Sequence, residues 1–380
     1  MKGGHDSKKV AGRAFSAFIA MTVGGIFSYD PGYLYAAGNS AYVSSVITAG
    51  MAALLFCASL SSVKRAGTRD ACELVESRFG RIARTASAVP LSIALILCAA
   101  RPISIFAQVL HRLVFDGSDY YSILAFILPV TFYMAVKGHV SVARTSVCVS
   151  FVLAASLVLV ILLSAKGYES FRLYPLIGDG IPHMMSCAVS DLVFIAAPLL
   201  SMTGVRDLSY ERATHGCVRG DLSDDRANRL VSGIKAAGGA ALLITLSRLA
   251  AGLAYDPQSL SEMLIPLYRI GFVSPRPGAM FRFDKIFIMI WLTCCMVSSA
   301  YCVDSAAELL SGSGKRFKTA VLFICCAVLA LCVLPLFVSV RVWDKLTFIS
   351  AKYGALLLIP YSALTIAAGL SGQMKRSERA

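Results

Sequence analysis

The chain has 380 residues, of which 57% are hydrophobic and only 15% charged, with a mean hydropathy of +0.70 and a formal net charge of +14. So apolar a composition excludes a soluble globular domain and marks a polytopic, all-α integral membrane protein. The positive charge does not require a nucleic acid. With the N-terminus placed inside, 24 of the 36 Lys and Arg residues fall on the cytoplasmic side and nine on the other, the bias that orients membrane helices.

Proline, glycine and charge clusters divide the chain into ten apolar segments, each near the roughly 20 residues a helix needs to cross the hydrocarbon. They are 13–36, 40–62, 86–110, 120–136, 140–164, 183–203, 231–253, 284–308, 318–340 and 346–370. The opening MKGGHDSKK followed by an apolar run reads as an uncleaved signal anchor rather than a secretory signal.

The first segment contains GGIFSYDPGYLYAAG, residues 24–38, where two glycines, an acid and Pro31 stand in what should be unbroken helix. Pro31 lacks an N–H, and in a bilayer the backbone groups so freed must be satisfied by protein or trapped water. An interrupted helix therefore faces the bundle interior or a cavity, where a small solute can bind, unless the proline only shapes packing. Between the second and third segments, VKRAGTRDACELVESRFGRIART sets Leu74, Val75 and Phe79 among charges, which reads either as a short interfacial amphipathic helix or as a solvated connector. Arg101, directly before Pro102, lies well inside the third segment. An arginine there costs about 2.5–3.5 kcal/mol on insertion scales, so it is expected to face the interior and neutralise Asp191 or Asp30, the alternative being to snorkel outward.

The sixth segment repeats the peculiarity of the first, with Asp191 and Pro198 in an apolar run. Breaks at corresponding places in two halves point to a transporter-type site. Ten helices in two five-helix halves make segments one and six equivalent and force inverted topology. The whole chain, 1–380, is then one transmembrane domain with repeats at about 13–164 and 183–370. The apolar MLIPLYRIGFV, within the longest outer connection, is expected to lie as a helix on the outer surface, and the eighth span carries Ser298, Ser299, Asp304 and Glu308. The twelve cysteines include no C-x-x-C and read as small apolar filler. Five scattered histidines and the lack of a nucleophile, metal cluster or phosphate loop support neither an enzyme nor a cofactor or metal site.

In order and spacing the chain resembles the B subunit of spore germinant receptors, the permease-like component within the amino acid, polyamine and organocation transporter superfamily. The residues that carry this are Pro31 followed by AAGNSAYVSSVITAG, the Arg101 region, KGHVSVAR, LYPLIGDGIP, Asp191 seven residues before Pro198, IPLYRIGFV, FRFDKIFIMIW and YGALLLIPYSAL. The resemblance implies a LeuT-like fold of 5+5 inverted repeats with a ligand held between the first and sixth helices. Gly25, Ser28, Tyr29, Asp30, Gly32, Arg101, Asp191 and Phe194 are expected to border that ligand. Ser298 and Ser299 are a possible ion site, as in sodium-coupled members of the architecture, or simply small residues that let helices pack. The implied role is sensing a small nutrient, an amino acid or similar, in the spore inner membrane beside A and C subunits, with both termini cytoplasmic; a transporter of the same fold is the alternative. Two departures stand out: the family more often has Glu at Asp191, and Asp30 is a local peculiarity.

Overall fold

A computed structural model describes residues 3–27, 40–68, 70–114, 119–174, 180–204, 221–261, 263, 265–273, 283–311, 315–334 and 353–377. All regular structure among them is helical. The elements are α1 (Gly3–Phe27), α2 (Ala41–Ala66), α3 (Ala71–Val109), α4 (Tyr120–Lys137), α5 (His139–Ser164), α6 (Ile181–Gly204), α7 (Asp221–Ala254), the short α8 (Pro257–Ser261) and α9 (Pro266–Val273), α10 (Phe283–Ser311), α11 (Lys315–Val333) and α12 (Ile359–Ser377). Seven are long and apolar enough to cross a membrane, and the shorter apolar stretches Gly12–Phe27, Phe317–Val333 and Ala355–Ser371 match the first, ninth and tenth expected spans. The chain is a multi-pass membrane protein.

Local signals in the sequence set the helix ends. Gly67 closes α2 in the left-handed region (φ 75°) after Lys64 and Arg65, whose charges suit a helix C-terminus. Asp70 opens α3 by accepting the Glu73 N–H at 2.6 Å. At Gly80 (φ 86°) the chain kinks, so the stretch before it is a separate short helix. Leu74 and Val75 are buried against the bundle and Phe79 is exposed, so the expected amphipathic helix exists, with its apolar face largely on protein. Gly138 (φ 79°) alone joins α4 to α5, a turn that only glycine makes without strain, and so makes His139 the first residue of α5.

Burial separates an inner from an outer set of helices. In the apolar window of α6 78% of residues are buried, against 33% in α4 and α5. α10 packs on α3, α11, α1, α5 and α4, while α2 packs on α6 and α7. Leu54, Phe126, Phe151, Leu162 and Phe323 point outward from the periphery, as lipid-facing side chains do. No disulfide joins the cysteines among the described residues.

α6 corrects one expectation: it runs unbroken from Ile181 to Gly204 with Pro198 inside it. Proline removes the hydrogen bond that an N–H at 198 would give to the Phe194 carbonyl, without breaking the helix. The turn that follows is tied to α10, since Pro198 O accepts from Ser201 Oγ at 2.8 Å and from the Tyr301 hydroxyl of α10 at 3.3 Å. The expected break in the first span, with Ser28, Tyr29, Asp30 and Gly32, lies outside the described residues. The segment around IPLYRIGFV does form a helix, α9, but rather than lying on a surface it docks inward: Ile265, Leu267 and Tyr268 are buried.

Candidate functional site

Pro198 has no N–H to offer the carbonyl four residues back, which belongs to Phe194. That carbonyl faces α1 at Gly24, where a Cβ would come within 2.9 Å of Phe194 O and 3.1 Å of Phe194 Cβ. The close approach of the two helices thus depends on glycine at one position and proline at another. Gly25 is equally confined from the side of α7, since a Cβ there would lie 2.8 Å from Ile244 Cγ1.

One side chain ties these helices together. Arg248 of α7 places Nη1 2.6 Å from Asp191 Oδ2 on α6 and donates from Nη2 to Gly25 O on α1 at 3.0 Å. The partner of Asp191 is therefore Arg248, not Arg101 as expected from sequence; Asp30, the other expected partner, lies outside the described residues. Arg101 is buried in α3, against the snorkelling alternative, with its guanidinium 5.8 Å from the centre of the Phe194 ring. Phe194 is thereby held between Gly24 and an arginine, within the range of a cation–π contact.

The structure brings Gly25, Arg101, Asp191 and Phe194 into one region and adds Arg248 of α7, which was not among the expected site residues. Its signal was the intramembrane charge itself. Ser44 and Thr48 of α2 complete the wall behind Asp191, donating to Cys187 Sγ at 3.4 Å and Ala188 O at 3.0 Å. On the other side Phe27 packs edge-on to Phe106 (5.1 Å between centres) and against Trp291 (5.3 Å), and Trp291 donates to Ser156 Oγ at 3.2 Å. These aromatics cap α1 where its described part ends.

The possible ion-site serines differ from each other. Ser299 donates to Ala99 O of α3 at 2.9 Å, whereas Ser298 Oγ is buried with no hydrogen-bond partner among the described residues. Beside Arg248, a cavity of about 20 Å³ is bounded by Ile26, Ser247, Ala251 and the start of α9. That suffices for about one water.

A family described as spore germination protein matches residues 11–204, just over half of the chain. The chain has no significant match among curated protein sequences. Among solved structures it is similar to a Na⁺-coupled sialic acid symporter in a substrate-bound outward-open state, at 11% identity and TM-score 0.59, covering 97% of this chain and 89% of that one. It is also similar to Mhp1, a nucleobase-cation-symport-1 family transporter, at 12% and 0.57, covering 98% and 93%. A third is the manganese transporter of Eremococcus coleocola, at 14% and 0.55, covering 94% and 77%. At such identities the likeness concerns the fold, which is LeuT-like.

Proposed function

The chain belongs to the spore germination protein family, and from that premise we propose that it is the permease-like B subunit of a germinant receptor. In this reading it binds a small zwitterionic nutrient, an amino acid or similar, between α1 and α6, and acts beside A and C subunits in the spore inner membrane. The end of the bundle where α1 and α5 begin then faces the cytoplasm, as the lysine and arginine bias favours.

The observation that carries the proposal is the Arg248 bridge between Gly25 O and Asp191. An acid, two arginines and a proline-freed carbonyl converge beside a glycine-rich helix end, which is the complement of a zwitterion. The ligand's ammonium takes Asp191 and the Phe194 carbonyl, and its carboxylate takes Arg248 and Arg101. A ligand that meets both ends exchanges the internal ion pair for its own contacts, so binding and the separation of α7 from α6 become one event. Without such exchange the buried charges would be left unpaired, which is costly.

Equilibrium binding of labelled amino acids to the purified full-length chain, alone and with co-expressed A and C subunits, tests this. Saturable binding of at least one amino acid, weakened by Asp191→Asn, is the expected result. If no amino acid or amine binds and the partners do not co-purify, the receptor reading falls. The second reading, a transporter, draws on the three similar solved structures, each of which is a transporter. Uptake of the bound solute into proteoliposomes would favour it over pure sensing.

A further inference from the structure

A second cluster of buried polar side chains lies where α5, α10 and α11 meet. Asp304 and Glu308 stand about one turn apart on α10 and face His139 of α5 and Lys318 of α11. The place is separate from the Asp191 ion pair: Glu308 shares a cavity wall with Gly204, which ends α6 about 20 Å of helix beyond Asp191. Read along the chain these residues form no cluster, and the packing of α10 on α5 assembles one.

The cluster is rich in lone pairs and poor in hydrogens to meet them. The Asp304 side chain is 1% exposed, yet neither of its carboxylate oxygens accepts a hydrogen bond among the described residues. His139 Nδ1 lies 3.1 Å from Asp304 Oδ2, and Nε2 contacts Glu308 Oε2 without a hydrogen bond. The Lys318 ammonium, 3.0 Å from Asp304 Oδ1, brings charge to that oxygen but no aligned hydrogen, and donates to Glu308 Oε2 at 3.5 Å. Arg13 of α1 adds positive charge within reach of Glu308. A buried carboxylate without a donor is costly, because its lone pairs have lost water and gained nothing directional in return. A metal ion accepts those lone pairs directly.

The donor set fits one class of ion. One ligand atom each from His139, Asp304 and Glu308 lie within 4.8 Å of one another. Small rotations of these side chains bring such atoms to the bonds of about 2.0–2.2 Å that Zn²⁺ makes, with a fourth position left for water. An imidazole among the ligands favours Zn²⁺ and its transition-metal neighbours over Mg²⁺ and Ca²⁺, which take oxygen. The ring nitrogen that does not bind keeps its hydrogen and turns it to the nearer carboxylate, which fixes the tautomer. A way in exists. A cavity of about 300 Å³ reaches Glu308 from the exposed Ser77 and Arg81, and its lining sets four carboxylates (Asp70, Glu73, Glu76 and Glu308) against two arginines. Walls with that excess concentrate cations.

We propose that His139, Asp304 and Glu308 bind a divalent transition-metal ion of the Zn²⁺ type, which competes with the Lys318 ammonium for the two carboxylates. The Lys318 side chain is 21% exposed, and its long stem lets the ammonium withdraw toward water as the ion enters. The ion then ties α5 directly to α10 beside the one-residue elbow at Gly138, in place of a charge carried by α11.

Zinc itself is the probe. The purified full-length chain in detergent, freed of its affinity tag and stripped with EDTA, is titrated with Zn²⁺ against a chelating dye, as the wild type, His139→Gln, Asp304→Asn and Lys318→Met. The wild type is expected to hold one Zn²⁺ through desalting, and loss of either ligand to weaken it at least about a hundredfold. Lys318→Met keeps all three ligands and removes the competitor, so it should bind more tightly. Zinc-edge X-ray absorption of the wild type reads the shell itself, with nitrogen and oxygen at about 2.0–2.2 Å and one imidazole expected. Sulfur at about 2.3 Å would put the ion on cysteines and overturn the proposal. A wild type that binds no Zn²⁺, or an affinity unmoved by the ligand substitutions, overturns it too. Should a ligand variant fail to fold, the absorption spectrum and the Lys318→Met affinity decide.

Discussion

Arg248 on α7 holds Asp191 on α6 at 2.6 Å, with only 4% and 8% of the two side chains exposed. Removing one partner from such a pair leaves a charge stranded in a low-dielectric interior, which costs about 3–5 kcal/mol, whereas removing both costs much less. Asp191→Asn and Arg248→Gln should therefore each lower stability, and the double variant should recover a large part of the loss. Unfolding of the four proteins in a double-mutant cycle measures it. Losses that simply add would show that the pair is not coupled.

Gly24 faces the Phe194 carbonyl, a backbone atom that cannot rotate away. Gly24→Ala should cost about 1–3 kcal/mol by forcing α1 from α6. Gly238, in α7, has nothing within 4 Å of the place a Cβ would take, so Gly238→Ala should be neutral or stabilise by up to about 1 kcal/mol. Thermal shifts of the two variants moving together would count against the close approach.

Arg101 covers the Phe194 ring and, in the proposed function, receives the nutrient carboxylate. Arg101→Ala is expected to shift the nutrient dose response at least about tenfold, the equivalent of 1.4 kcal/mol, and Arg101→Lys to shift it less, since the charge survives without the planar guanidinium. A germination dose response, normalised to protein abundance, is the measurement. An unchanged midpoint in Arg101→Ala would remove this residue from the site.

The orientation proposed from the charge bias is open to direct labelling. In a background without native cysteines, Ser223→Cys should react with an impermeant reagent only from the cytoplasmic side and Glu169→Cys only from the other. Reaction at Ser223→Cys from outside would invert the topology.

At the Asp256 carboxylate, the Ser259 hydroxyl (2.7 Å) and backbone N–H (3.1 Å) lower the pKa below its ordinary value. A depressed carboxylate contributes above its unfolded pKa and ceases to do so as pH falls through the folded one. Amide exchange in α8 should accordingly be protected at neutral pH and rise only in acid below the usual carboxylate range. Asp256→Asn should flatten that profile.

The stretch before Gly80 is open in the sequence between an interfacial helix and a solvated connector, and the proline in the sixth span reads as a break that α6 does not have. The apolar spans and the buried standing of Arg101 and Asp191 were legible from residues alone. Each is a local matter: about 20 apolar residues satisfy a bilayer, an ionised side chain within them is expensive, and proline deletes a donor wherever it stands. Which charge neutralises which was not legible. Asp191 has Arg101 and Arg248 at comparable standing in the sequence, and the choice between them is made by α1, α6 and α7 closing around Gly24 and Gly25. His139, Asp304, Glu308 and Lys318 are likewise spread over three helices, and nothing in the sequence links them. Their meeting depends on the one-residue elbow at Gly138 and on the packing of α10 against α5 and α11. Periodicity and composition act along one helix at a time, whereas pairing of buried charges is settled by the crossing of helices distant in sequence, and that belongs to the tertiary structure.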